Sequence, residues 1–219
     1  MTAVIKRGGV TINGRVAESY NEPVDPTEDT VSIDGRTVST RPEPNLYLML
    51  NKPGGIVSTT RGERGEKTVI DILPQEYRQV RVYPVGRLDK DSTGLVLLTN
   101  DGNLAYKLTH PRFEQEKEYL VRTDGILTPE EMTKLEKGID LEDGKTSPAK
   151  VETSKQVPFN YSVTIHEGRK RQIRRMFATL GYRVLELRRV RFANLRLGTL
   201  PQGKVRNLTA SELESLRRG

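Results

Sequence analysis

The residues with most chemical potential lie in Gly86-Arg87-Leu88-Asp89-Lys90-Asp91-Ser92-Thr93-Gly94, which carries two carboxylates, Asp89 and Asp91, just ahead of the very apolar run Leu95-Val96-Leu97-Leu98. The loop leaves one expected strand and enters another, and loops held between rigid strands are common places for catalytic side chains. An aspartate there can act as a nucleophile or a base. Judged locally, either one also suits a turn in which the carboxylate binds its own backbone, and Asp91 fits that role well. Other chemistries are poorly supplied. The chain has no cysteine, which excludes a thiol nucleophile, a disulfide framework and a cysteine-based zinc site. His110 and His166 are its only histidines, and no spacing of metal ligands is visible, so no metal is expected.

A second chemical feature is cationic. Between His166 and Arg191 stand nine lysines or arginines (Arg169, Lys170, Arg171, Arg174, Arg175, Arg183, Arg188, Arg189, Arg191) against Glu167 and Glu186. That excess of +7 equals the net charge of the whole 219-residue chain, so the remainder balances. Such a concentration is the footprint of a nucleic-acid surface, whereas a merely solvated helix face carries mixed signs. Residues 169–180 read as a helix: Ile173, Met176, Phe177 and Leu180 share one face, and Gly181 supplies the stop. At about 100° per residue, Arg171 and Arg175 point away from that face and are free for phosphates. Arg174 sits at its border, where a guanidinium either snorkels over the helix edge or meets a carboxylate.

The elements that must position these groups follow from local pattern. Residues 1–42 form a small unit of two hairpins, one turning at Asn13-Gly14 and one at Asp34-Gly35. Thr40-Arg41-Pro42-Glu43-Pro44 reads as a linker. In the larger part, residues 43–219, strands are expected at 46–50, 80–85, 95–99, 118–122, 150–153, 161–165, 184–190 and 205–208. Helices are expected at 101–108, after Thr128 and after Thr209, the last two with capping boxes closed by Glu131 and Glu212, and a helical turn at 69–73. Residues 59–67 form a charged loop. The irregular order of strands and helices predicts an α+β domain with a mixed, mostly antiparallel central sheet and flanking helices. No apolar run is long enough to span a bilayer and no signal-peptide stretch is present, so a cytoplasmic protein with no membrane partner is expected.

Four blocks in order carry a family resemblance. Asn51-Lys52-Pro53-Gly54-Gly55, Gly86-Arg87-Leu88-Asp89 with Thr93-Gly94-Leu95 and Leu98-Thr99-Asn100-Asp101-Gly102, Glu116-Lys117-Glu118-Tyr119-Leu120-Val121, and Glu167-Gly168-Arg169-Lys170-Arg171-Gln172-Ile173-Arg174-Arg175-Met176 resemble the motifs of bacterial ribosomal RNA pseudouridine synthases of the RsuA/RluB/RluE/RluF family. The likeness spans about residues 46–210, and its details lean toward the RluB-like large-subunit branch, with a small-subunit target as the alternative. The resemblance implies the pseudouridine synthase fold, with Asp89 as the essential aspartate, Tyr119 as the tyrosine packing on the target base and Arg174 as the basic partner of Asp89. Without it Tyr119 reads as an ordinary strand aromatic. Lys52, Arg87, Arg169, Lys170, Arg171 and Arg175 are expected in RNA-binding roles. Residues 1–42 resemble the C-terminal part of an S4-like RNA-binding domain without its usual opening helices, which implies a partial S4-like domain.

The reaction so implied breaks the C1′–N1 bond of uridine, turns the base and joins C5 to C1′. Nothing is oxidised and no group is lost, so no cofactor is expected. The implied partner is ribosomal RNA or a ribosomal assembly particle, acted on by a monomer. Two rivals are weaker. A non-catalytic RNA-binding or ribosome-assembly module leaves Asp89, Tyr119 and Arg174 without a purpose. A glycoside hydrolase also uses carboxylates, yet this chain has no tryptophan and only four phenylalanines to stack on sugars.

Overall fold

The computed structural model describes residues 2–39, 44–63 and 65–218, so the expected linker at 40–44, Pro44 apart, and Arg64 of the charged loop lie outside the described residues. The chain divides into two compact units, Met1–Pro44 and Asn45–Gly219.

The first unit opens with the short helix α1 (Thr2–Lys6) and forms an antiparallel sheet from β1 (Val10–Ile12), β2 (Arg15–Val16), β3 (Val31–Ile33) and β4 (Arg36–Val38). The strand order is β2-β1-β3-β4. Asn13-Gly14 and Asp34-Gly35 all have positive φ, the turn geometry that matches the twist of a hairpin. Ile12 and Ala17 are the buried apolar residues of this unit among the described residues, so side-chain bonds carry much of its order. Arg7 pairs with Asp34, Arg15 with Glu22, and Asn13 with Asp29.

The second unit contains β5 (Tyr47–Lys52), β6 (Tyr83–Val85), β7 (Thr93–Thr99), α2 (Gly102–Thr109), β8 (Lys117–Thr123) and α3 (Pro129–Glu136). It continues through the small hairpin β9 (Asp140–Leu141) and β10 (Gly144–Lys145), then β11 (Lys150–Thr153), β12 (Tyr161–Ile165) and α4 (Gln172–Thr179). The chain closes with β13 (Val184–Phe192), β14 (Leu195–Arg196), β15 (Val205–Asn207) and α5 (Ala210–Arg218). Seven strands run in the order β11-β12-β8-β13-β7-β5-β15, with β6 added to β7 and β14 to β13. Among these named strands, β7 against β13 is the one parallel pairing; the sheet is otherwise antiparallel.

The sheet is covered on both faces. Leu48, Leu50, Val96, Leu98, Val121 and Val163 pack with Leu135 of α3 and Ile173, Met176 and Phe177 of α4. Met49, Leu95 and Leu97 pack on the other side with Leu104 and Leu108 of α2 and Leu216 of α5. Burial on both sides explains why β5 and β7 read as continuous apolar runs rather than alternating ones.

The expected capping boxes form: Thr128 Oγ1 accepts from Glu131 N while Glu131 Oε2 accepts from Thr128 N, and Thr209 and Glu212 repeat the exchange. Two expectations shift. Residues 69–73 are turns rather than a helix, because Thr68 and Asp71 bind each other's backbone and Pro74 follows; a single 3₁₀ turn comes after it at Gln75–Tyr77. The basic helix also starts three residues late. Arg171 adopts a left-handed φ of 52°, leaving Arg169 and Lys170 in the loop before it.

Candidate active site

Asp89 owes its position to a backbone clamped on both sides. Leu88 is buried in the core, which anchors the loop and leaves its neighbour Asp89 half-buried at a cavity wall. Ser58 Oγ donates to Leu88 O (3.0 Å) and accepts from Leu88 N (3.1 Å). Ser92 N donates to Asp89 O, and Gly55 N to Lys90 O. The strongest clamp is Lys52, whose Nζ donates to the carbonyls of Pro53 (2.9 Å), Lys90 (3.1 Å) and Ser92 (2.7 Å). Burial pushes the Lys52 ammonium down to about 8, against the attraction of Asp91 and Asp89. Lys52 was expected on the RNA surface. It is fully buried instead, its charge spent on holding the Asp89 loop.

Below that loop a row of residues crosses the sheet in register: Tyr119 on β8 faces Arg189 on β13, Arg189 faces Gly94 on β7, and Gly94 faces Lys52 on β5. The row explains Gly94. Its φ is +104°, and a Cβ there would stand 2.2 Å from Arg189 O, so only glycine lets the two parallel strands approach. Tyr119 is buried, and its ring forms part of a cleft of about 620 Å³ whose lining includes Asp89, Ile165, Ile173 and Leu187. Arg61, Arg87, Lys170 and Arg171 line the same cleft, as do Glu63 and Glu66. The expected charged loop therefore walls the site.

The cations of the basic segment divide. Arg171 stays exposed and reaches Asp91 at 3.6 Å, while Lys170 and Arg87 are exposed with no side-chain partner among the described residues. Arg175 and Arg169, expected on RNA, are held by protein partners, although Arg169 also lines the cleft. Arg175 makes a two-pronged pair with Asp143 (2.8 and 3.0 Å). Arg169 donates to the carbonyls of Asp143, Gly144 and Lys145 and to Glu167. Both are drawn to the β9–β10 hairpin, whose two-residue strands leave no readable pattern in the sequence. Arg191 pairs with Glu116 and Glu118, and Arg183 with Asp124. The segment's charge is thus spread through the fold rather than laid on one face.

Arg174 is half-buried, as its place on the helix border predicts, but it does not close an ion pair with Asp89 within 4.0 Å. Its Nη1 donates to Val184 O (2.9 Å) at the start of β13, and its Nε is buried without a partner. Burial and then Arg171 depress its basicity, while Asp89 and Asp91 favour its charged form. The guanidinium therefore acts on the Asp89 loop through space rather than by contact.

Two buried cations were not singled out by the sequence reading for these positions. Arg189 lies in the alternation Leu187-x-Arg189, and Lys52 in Leu50-x-Lys52, both two residues beyond a core side chain; that spacing was the available signal. As assembled, the site offers a carboxylate at the wall of a cleft, an aromatic ring and aliphatic side chains against which a planar group can lie, and a cationic rim. No helix is long and apolar enough to cross a membrane, and no group of three or more metal-ligating side chains gathers, among the described residues.

Residues 46–179 match the family model described as RNA pseudouridylate synthase. The chain is 43% identical to a ribosomal large subunit pseudouridine synthase B of Bacillus subtilis (strain 168), over 98% of this chain and 87% of that one. It is 40% identical to the dual-specificity RNA pseudouridine synthase RluF of Escherichia coli (strain K12), over 97% of this chain and 71% of that one. A crystal structure of a pseudouridylate synthase superposes with a TM-score of 0.73 at 34% identity, covering 98% of this chain and 91% of the other.

Proposed function

The chain belongs to the RNA pseudouridylate synthase family, and on that premise we propose that it isomerises one uridine of large-subunit ribosomal RNA, with Asp89 as the reacting carboxylate. The observation that carries the reading is the position of Asp89: half-buried, on a loop fixed by Lys52 and Ser58, and sharing one cleft with Tyr119. The choice of large-subunit rRNA rests on the Bacillus subtilis relative.

The target nucleotide must leave its stack before a side chain can reach it, at a cost of a few kcal/mol. Arg61, Arg87, Lys170 and Arg171 at the rim offset that cost through phosphate contacts. Inside, Tyr119, Ile173 and Leu187 hold the flat face of the uracil. Asp89 then either attacks C1′ or takes a proton from C2′, and both routes release the base from C1′. The freed uracil stays against the Tyr119 ring and turns until C5 faces C1′. As the C5–C1′ bond forms, C5 displaces the Asp89 carboxylate from C1′ on the first route, or Asp89 returns its proton to C2′ on the second. Moving the C5 proton to N1 then restores a neutral product, so atoms and electrons balance within one nucleotide. Arg174 attracts the carboxylate from a distance and steadies its orientation. The first unit, with its two hairpins and exposed Arg7, Arg15 and Arg36, acts in this reading as a partial S4-like RNA contact.

Mapping pseudouridines in the rRNA of a strain lacking the gene tests the substrate. Loss of a single pseudouridine from the large-subunit RNA is expected, restored by the wild-type gene. An unchanged large-subunit map, or a loss confined to the small-subunit RNA, contradicts the assignment.

A further inference from the structure

A second cavity of about 530 Å³ adjoins the cleft, and Gly86, Arg87, Tyr119, Gly168 and Arg169 line both. A strand whose nucleotide enters the cleft can extend into this cavity across those shared residues. Its wall contains Arg189, which is 2% exposed. Arg189 Nε donates to Leu95 O (2.8 Å), but Nη2 is buried without a partner, and no carboxylate pairs with this guanidinium among the described residues. The Phe192 ring centroid lies 5.0 Å from the guanidinium carbon. A buried guanidinium without a counter-charge is expensive, so its retention calls for an anion from outside.

The surroundings point the same way. Lys117, also in the wall, gives one hydrogen bond to His166 O (3.0 Å) and has no ion pair among the described residues. Burial and the nearby Arg189 push Lys117 down to about 8, with Glu167 pulling the other way. Glu167 forms no ion pair with Lys117 or Arg189 among the described residues; its oxygens accept instead from Ser147 N, Gln172 and Arg169. Glu114 is exposed and stands 3.9 Å from His166. Leu108, Pro111 and Phe192 add an apolar wall, too much space for a lone phosphate but suited to one carrying its sugar.

We propose that this cavity seats a phosphodiester of the substrate strand adjoining the target nucleotide, held by Arg189 and Lys117. The proposal rests on the reading that the chain acts on RNA, and gives the strand its direction past Tyr119. Neither residue touches the reacting base; both bind and position the strand.

The test uses the full chain and an RNA stem-loop carrying the mapped uridine, with a single neutral methylphosphonate placed at each flanking phosphate in turn. Dissociation constants come from fluorescence anisotropy across a salt series, and product from mass spectrometry, for wild type, Lys117→Gln and Arg189→Lys. Wild type should lose about tenfold in affinity at one flanking position. Lys117→Gln should bind the unmodified RNA about tenfold more weakly, with a log–log salt slope shallower by about 1, and should be indifferent to that one methylphosphonate. Arg189→Lys keeps the charge but not the fork, and should keep part of the sensitivity if its melting curve matches wild type. Wild-type affinity and slope in Lys117→Gln, or undiminished sensitivity to every methylphosphonate, overturns the subsite. Tight binding by wild type without any pseudouridine contradicts the enzyme reading instead, and the subsite still stands or falls on the binding constants.

Discussion

At the scale of single residues, the cation that shapes the site most is one that cannot touch substrate. Lys52 replaces its water shell with three carbonyls, two of them in the Asp89 loop. Lys52→Met strands those carbonyls, so it should cost about 2–3 kcal/mol of stability and lower kcat more than it raises KM. Its charge gives a pH signature. The ammonium is held down to about 8 in the folded protein and titrates near 10.4 when unfolded. Between those values the unfolded chain binds more protons, so this group's contribution to stability grows as pH rises. The gap in unfolding free energy between wild type and Lys52→Met should widen from pH 7.5 to 10; a gap that stays flat would contradict the burial argument. A second comparison separates two arginines that look alike in the sequence. Arg171→Ala should weaken RNA binding several-fold and flatten its salt dependence. Arg175→Ala should leave RNA affinity unchanged and cost at most about 1 kcal/mol, because Asp143 already holds it. Equal salt slopes in the two variants would show the division to be wrong.

At the scale of elements, the site depends on one parallel junction. The loop that carries Asp89 feeds β7, and β7 lies against β13 only because Gly94 has no side chain. Gly94→Ala should therefore cost about 3 kcal/mol, roughly 6–12 °C in Tm, with activity falling as the Asp89 loop shifts; a melting curve like that of wild type would contradict this packing. Elements built on local signals were legible in the sequence. The Asn13-Gly14 and Asp34-Gly35 turns and the Thr128 and Thr209 caps are written within a few residues, and each forms as read. Strand order was not legible, since pairing Gly94 with Arg189 joins segments far apart in sequence. The same physics divides the site. The loop and the half-burial of Arg174 followed from nearby residues, while the choice of Asp89 within that loop came from the family resemblance. The engagement of Arg169 and Arg175 by the β9–β10 hairpin did not, because a pair of two-residue polar strands leaves no periodicity. Lys52 and Arg189 were visible as the next inward step of a strand, but charge argued against burying them.

At the scale of the whole molecule, a net charge of +7 is less a coating than a framework. Part of it clamps loops, part ties α4 to a hairpin, and part lies buried beside the cleft, leaving Arg61, Arg87, Lys170 and Arg171 at the rim, where the proposed function has them meet RNA. Non-specific affinity should thus be modest for so basic a chain and should fall steeply with salt, while selectivity comes from the shape of the cleft. In the proposed function all of this serves one carboxylate, Asp89. The most direct measurement is single-turnover pseudouridine formation by Asp89→Asn on the mapped rRNA fragment, with RNA binding and thermal melting recorded on the same preparation. The account predicts no detectable pseudouridine alongside an unchanged dissociation constant and melting curve; turnover near the wild-type rate would contradict it.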